Sequence, residues 1–300
     1  MQRAREMVDT IRFMLLLRLC PQWLQDEFAA QLALAPATLG DDTPAFRRVS
    51  LTVGNINIKL NALGLVVFEN SLHRNFHGHN GGSFTRSDVA AAIQKLSATL
   101  GFDISGCQLT KVAFGANLTG VDGQATLRGL ADYEGSKRFM KYEKGKGITG
   151  AKRLLTELEL TLYDKQRELK EKRQANLPAP TLRYEITSRK LSYLRRLGAA
   201  TVADLASFKF FETAGGELID RLEACGFEEE LNTTLLTADE IEALALVSSP
   251  LFTAYAANRA NKDRAPRRRK LAEQARAKAT LANTKGSLLT RLKATLLELA

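Results

Sequence analysis

The chain has 300 residues, 45% of them apolar, 25% charged and 7% aromatic. A chain of this length buries roughly 75% of its unfolded surface, so it folds without disulfides or a structural metal, and disorder is excluded as its main state. The formal net charge of +10 makes a polyanion, nucleic acid or acidic lipid, the first class of partner to consider.

The charge is unevenly placed. Residues 262–300 hold eleven basic and three acidic side chains, a net +8, whereas residues 212–242 hold ten carboxylates and one arginine, a net −9. The remainder of the chain is therefore itself basic. The apolar run Phe13 to Leu17 is far shorter than the roughly 20 residues that span a bilayer, and Arg18 interrupts it. We expect a cytoplasmic chain that does not enter a membrane. Cys20, Cys107 and Cys225 are widely spaced without a CxxC pair, the pattern of reduced structural thiols.

In chain order, Leu51 to Leu60 (LTVGNINIKL) alternates polar and apolar residues as a strand with one buried face does, and Leu65 to Phe68 predicts a second strand. After the turn HGHNGGS, TRSD opens a helix with Ser87 as N-cap and Ala90, Ile93, Leu96 and Leu100 on one face. Leu109 to Leu118 and Gln124 to Asp132 read as further strands, and FMKYEKGKG as a basic, Gly-rich loop. In ELELTLYDK, Leu158, Leu160 and Leu162 face one way while Glu157, Glu159, Thr161, Tyr163 and Lys165 face the other. Such a charged and hydroxylic row is either a solvent face or a reactive floor. Leu182, Tyr184 and Ile186 alternate with Arg183 and Glu185 in a last strand. From Arg189 the period turns helical: Leu191, Leu194 and Leu197 precede Gly198 as C-cap, a second helix starts at Thr201, and Thr237 to Glu240 is a cap-like start. One or two basic helices broken near Gly286 close the chain. The fold class expected is α+β, a mostly antiparallel sheet with packed helices followed by a helical C-terminal region. Its divisions fall at 1–190, 191–262 and 263–300.

The set YDKQRE (Tyr163-x-Lys165-x-x-Glu168), LRYEI (Arg183-Tyr184-Glu185) and KLSYLRRLG, with Gly78-His79-Asn80 and TRSD upstream and Met7-Val8-Asp9-Thr10-Ile11 near the start, resembles the filamentous-phage gene II protein family of phage and plasmid rolling-circle replication initiators. The resemblance runs from about residue 7 to 210 and marks residues 1 to 6 as an upstream extension. It implies an enzyme that nicks one DNA strand at a replication origin, keeps the 5′-phosphate on a tyrosine and later rejoins the ends. Host replication machinery is an implied partner. On this resemblance Tyr163 is the nucleophile; a phosphotyrosyl ester conserves bond energy, so rejoining needs no ATP. Lys165 supplies positive charge to a phenol whose reference pKa is near 10. A divalent Mg²⁺ or Mn²⁺ is implied, with Glu159, Glu168, Glu185 and His79 as candidate ligands. All three histidines fall within 73–79.

Lys111, Arg183 and the run Arg267, Arg268, Arg269 and Lys270 are the candidate DNA contacts, and Phe76 and Tyr142 are aromatics suited to stacking on unpaired bases. The basic C-terminal stretch equally suits an anchor to the acidic 212–242 segment. One departure stands out: in LTKVAFGANL the family's Arg-aliphatic-Asp becomes Lys111-Val112-Ala113. If that aspartate holds metal, a ligand is missing, and the alternative is a non-catalytic origin-binding or copy-control protein on the same fold. A basic peripheral membrane protein is more distant, since no strongly amphipathic, aromatic-rich helix is evident.

Overall fold

The computed structural model describes residues 7–34, 49–61, 63–80, 84–145, 147–172, 177–227, 236–249, 251–279 and 284–298. Its centre is a nine-stranded sheet in which all the paired neighbours run antiparallel. In chain order the strands are β1 (Val8–Leu16), β2 (Val49–Val53), β3 (Ile56–Leu60), β4 (Leu65–Ser71), β5 (Gln108–Thr119), β8 (Met140–Lys144), β9 (Gly147–Leu154), β10 (Leu158–Asp164) and β11 (Thr181–Ser188). They lie side by side as β2-β3-β4-β1-β5-β11-β10-β9-β8. A small second sheet joins β6 (Leu130–Tyr133), β7 (Lys137–Arg138) and β12 (Cys225–Phe227). The fold is α+β, as expected, with a helical C-terminal region.

Three local readings change. The alternating run 51–60 is a hairpin, because Gly54 takes a φ of +59°, open to glycine and costly for other residues, and turns the chain between β2 and β3. Residues 124–132 begin as helix α4 (Gly123–Gly129), whose N-cap Asp122 accepts from the backbone N–H groups of Gln124 and Ala125; only 130–133 are strand. The N-cap of α3 (Arg86–Leu100) is Thr85, in a reciprocal capping box with Asp88, and Ser87 lies inside the helix.

The two faces of the sheet differ. Ile11, Phe13, Val112, Phe114, Leu160, Leu162, Leu182, Tyr184 and Ile186 are buried in one core with residues of α1 (Gln22–Leu34), α3, α6 (Leu191–Arg196) and α7 (Phe208–Glu223). The opposite rows are polar and mostly half-buried. Leu288 and Leu292 join the same core, so the last helix, α11 (Thr284–Leu297), packs on the main domain, where the Arg291 guanidinium donates to the Thr119 carbonyl at 2.8 Å. In contrast, α8 (Ala238–Ser248) and α10 (Arg264–Ala279) form a separate cluster of Ala243, Leu244, Ala272 and Ala275, flanked by the short helix α9 (Phe252–Ala257). Among the described residues no helix is long and apolar enough to cross a membrane.

Candidate active site

Tyr163 stands at the end of β10, where the chain changes from strand to helix. The Asp164 carboxylate accepts from the Arg167 backbone N–H at 2.9 Å and caps α5 (Lys165–Glu171). Lys165 is thus the first helical residue and not, as the alternation suggests, the last of the strand. Its side chain is fully buried, with the ammonium 5.5 Å from the centre of the Tyr163 ring and 2.9 Å from Glu168 Oε2. Lys172 also donates to Glu168. Burial pushes the Glu168 carboxyl up, but Lys165 and Lys172 outweigh it and hold the group below the usual carboxylate range.

Cross-strand register brings the rest of the motif alongside. Tyr163 pairs with Arg183, and Thr161 with Glu185, across β10 and β11. Arg183 is fully buried, its guanidinium 3.5 Å from Glu185. Burial is the main cause that raises the Tyr163 phenol well above the ordinary tyrosine range; Glu185, Glu168 and Asp9 add to this, and Arg183 opposes it.

Asp9 is the residue that sequence reasoning passed over as part of an opening motif. In β1 the pairing with β5 shifts between Val8↔Phe114 and Ile11↔Val112, so Asp9 and Thr10 together oppose Ala113. This bulge turns Asp9 onto the polar face. There it is 7% exposed and accepts from the Ser71 hydroxyl at 2.5 Å. Next along β5, Gly115 has no room for a side chain: a Cβ would sit 2.1 Å from the Tyr184 carbonyl oxygen. Ala113 and Gly115 are thus the small, buried residues of β5 between β1, which carries Asp9, and β11, which carries Glu185.

The other candidates are dispersed. Glu159 pairs with Lys152 at 2.7 Å. Lys111, expected on DNA, pairs with Glu69 at 3.0 Å, and Arg12 meets the same carboxylate at 2.7 Å. Both cations hold Glu69 below its usual range despite its burial. His79 follows α2 (Leu72–His77) beyond β4, four strands along the sheet from β10. It clusters with His73 and His77, whose ring centres lie 6.4 Å from its own. Burial, and then His73, His79 and Lys95, depress the His77 imidazole against the pull of Asp88. Among the described residues no three His, Cys, Asp or Glu side chains are placed to hold one metal ion. No three of the four candidate ligands come together: Glu159, Glu168 and Glu185 each have a cationic neighbour, and His79 is in the histidine cluster.

In the basic C-terminal stretch, Arg268 pairs with Glu242 at 3.2 Å and Arg269 lies over the Phe252 ring at 5.7 Å, while Arg267 and Lys270 are exposed on α10. The sequence also gave no sign that FMKYEKGKG is the hairpin of β8 and β9, with Tyr142 beside the site. A cavity of about 420 Å³ is lined by Tyr142, Lys144, Thr149, Tyr163, Arg167 and Glu168, among others. No protein-family profile matches the chain, and no curated relative is found for it.

Proposed function

We propose that this chain is a DNA-nicking and joining protein of the rolling-circle initiator type, with Tyr163 as its nucleophile. The observation that supports this most is the convergence of Tyr163, Lys165, Glu168, Arg183 and Glu185 at one strand-to-helix junction. These are the residues on which the family resemblance rests, and they come from separate parts of the chain.

The chemistry follows from the surroundings of the phenol. Its high affinity for its proton makes it unreactive at rest, so attack needs an acceptor for that proton. Glu185, whose charge acts most strongly on the phenol, fills that role. The phenolate oxygen forms the new bond to phosphorus, the bond to the 3′ oxygen breaks, and that oxygen leaves as a 3′-hydroxyl after taking up a proton. Lys165 and Arg183 are the cations beside the developing charge. No step is routed through a metal ion, since the candidate ligands do not come together; Mg²⁺ or Mn²⁺ enters as a variable of the test.

The second reading, DNA binding without cleavage, is favoured by one observation: Ala113 stands where the resemblance expects an acid. Both are tested by incubating the full chain with supercoiled DNA carrying its own origin, with Mg²⁺, with Mn²⁺ and with chelator. The expected result is nicking with a covalent protein–DNA adduct that Tyr163→Phe abolishes. Binding with no nick under any of these conditions would select the second reading.

A further inference from the structure

We infer that the space between Tyr142 and Tyr163 is a slot for one unpaired nucleobase next to the scissile phosphate, with Tyr142 as its outer wall. The inference rests on the proposal that this face handles single-stranded DNA, and it adds a base-binding subsite to it. The register builds the slot. Tyr163 on β10 pairs with Gly150 on β9, and Gly150 pairs with Tyr142 on β8, so both tyrosines rise from the same face with a glycine between them. Two strand spacings of about 4.8 Å separate their backbones by roughly 9.6 Å, the span of two successive offset aromatic stacks.

Gly150 is required for that opening. A Cβ there would lie 3.1 Å from Tyr163 Cβ and 3.6 Å from the Tyr142 ring, filling the floor of the slot. Next on the same face of β9, Lys152 is paired with Glu159 at 2.7 Å. Tyr142 remains 41% exposed on the outermost strand, every residue of which is exposed. A strand of nucleic acid therefore reaches it without displacing protein. The cavity of about 420 Å³ also holds Lys144 and Arg167, but both are paired with Glu171, at 2.7 and 3.0 Å, and Asp164 and Glu168 line it too, so the slot holds a base through its rings and not through attraction to phosphates. Stacking of this kind tolerates any base, because every base has a π face.

The test uses the full chain carrying Tyr163→Phe, which keeps the inner ring, and a short oligothymidylate with a single 2-aminopurine stepped along it. At one position the fluorescence is expected to be quenched on binding. Adding Tyr142→Ala should remove the quenching and weaken binding by about 5- to 150-fold, whereas Tyr142→Phe should keep both. Quenching and affinity unchanged in Tyr142→Ala would overturn the slot, as would tight binding with no quenched position, and neither touches the nicking proposal. Conversely, if Tyr163→Phe still nicks origin DNA, the nucleophile assignment fails while Tyr142-dependent quenching upholds the slot. No binding to any oligonucleotide at low salt would overturn both.

Discussion

Substituting Ala113 by aspartate tests whether the bulge in β1 has moved a carboxylate onto this part of the floor. Ala113 is 3% exposed and lies opposite the two bulged residues, one of which, Asp9, is itself buried. Directly opposed side chains on antiparallel strands have Cβ atoms about 5 Å apart. Two carboxylates at that distance repel by about 3 kcal/mol at an effective dielectric constant near 20. Ala113→Asp should therefore lower unfolding stability near neutral pH by about that amount, measured by urea denaturation. The repelled pair takes up a proton more readily folded than unfolded, so its folded pKa lies above the unfolded reference of about 3.9. The loss is then full above the folded value and shrinks as pH falls through it towards the reference. Asp9→Asn in the same chain should recover most of the stability at pH 7. A loss equal at pH 4 and pH 7, or one that Asp9→Asn leaves untouched, would refute the placement of Asp9 across from Ala113.

Two other outcomes follow from ion pairs. Glu168→Gln leaves the fully buried Lys165 ammonium without its 2.9 Å partner and should cost about 2–4 kcal/mol in the same urea measurement. Because the folded Glu168 pKa is depressed, the native pair stabilises above the carboxyl's unfolded value near 4.5 and loses that contribution as pH falls through the folded one; the variant should be flat in that window. In the basic arm, Arg267→Ala with Lys270→Ala should reduce the logarithmic salt slope of duplex binding by about 2, at roughly 0.9 per phosphate contact. Arg268→Ala should change it by less than about 0.9, since that side chain is engaged by Glu242, and a full reduction of about 0.9 from this one substitution would count against the division.

The fold was legible where one face of a strand is apolar and the other polar. The alternation in 158–164 and in 182–186 found β10 and β11, and leucines at helical spacing found α6. β1 was missed because Val8-Asp9-Thr10 departs from strict alternation, and the bulge that causes the departure is a property of pairing with β5. β8 and β9 were missed for another reason: every residue of β8 is exposed, so it carries no buried row, and its lysines together with Gly145 and Gly147 resemble a loop. At the candidate site, Tyr163, Lys165, Glu168, Arg183 and Glu185 were singled out through the motifs that carry the family resemblance, but Asp9, Gly115 and Tyr142 owe their positions to long-range register that no local pattern contains. Lys111 failed for the opposite reason, since a lysine on a polar row reads as available until Glu69 is placed beside it.

The charge distribution sharpens what that row can do. Lys111 and Arg12 meet Glu69, Lys152 meets Glu159, Lys165 and Lys172 meet Glu168, and Arg183 meets Glu185. These are six cations against four carboxylates, and Asp9 and Asp164 add two acids near Tyr163, so the floor is closely balanced, although the whole chain is +10. A balanced floor holds side chains in fixed positions but contributes little long-range attraction for a polyanion. Attraction falls instead to exposed cations elsewhere, Arg267 and Lys270 among them. On the proposed function, DNA affinity and strand cleavage then respond differently to salt. Added salt should weaken capture of the DNA steeply, while the cleavage rate of DNA already bound changes little, because the ion pairs beside Tyr163 are partly buried and poorly screened.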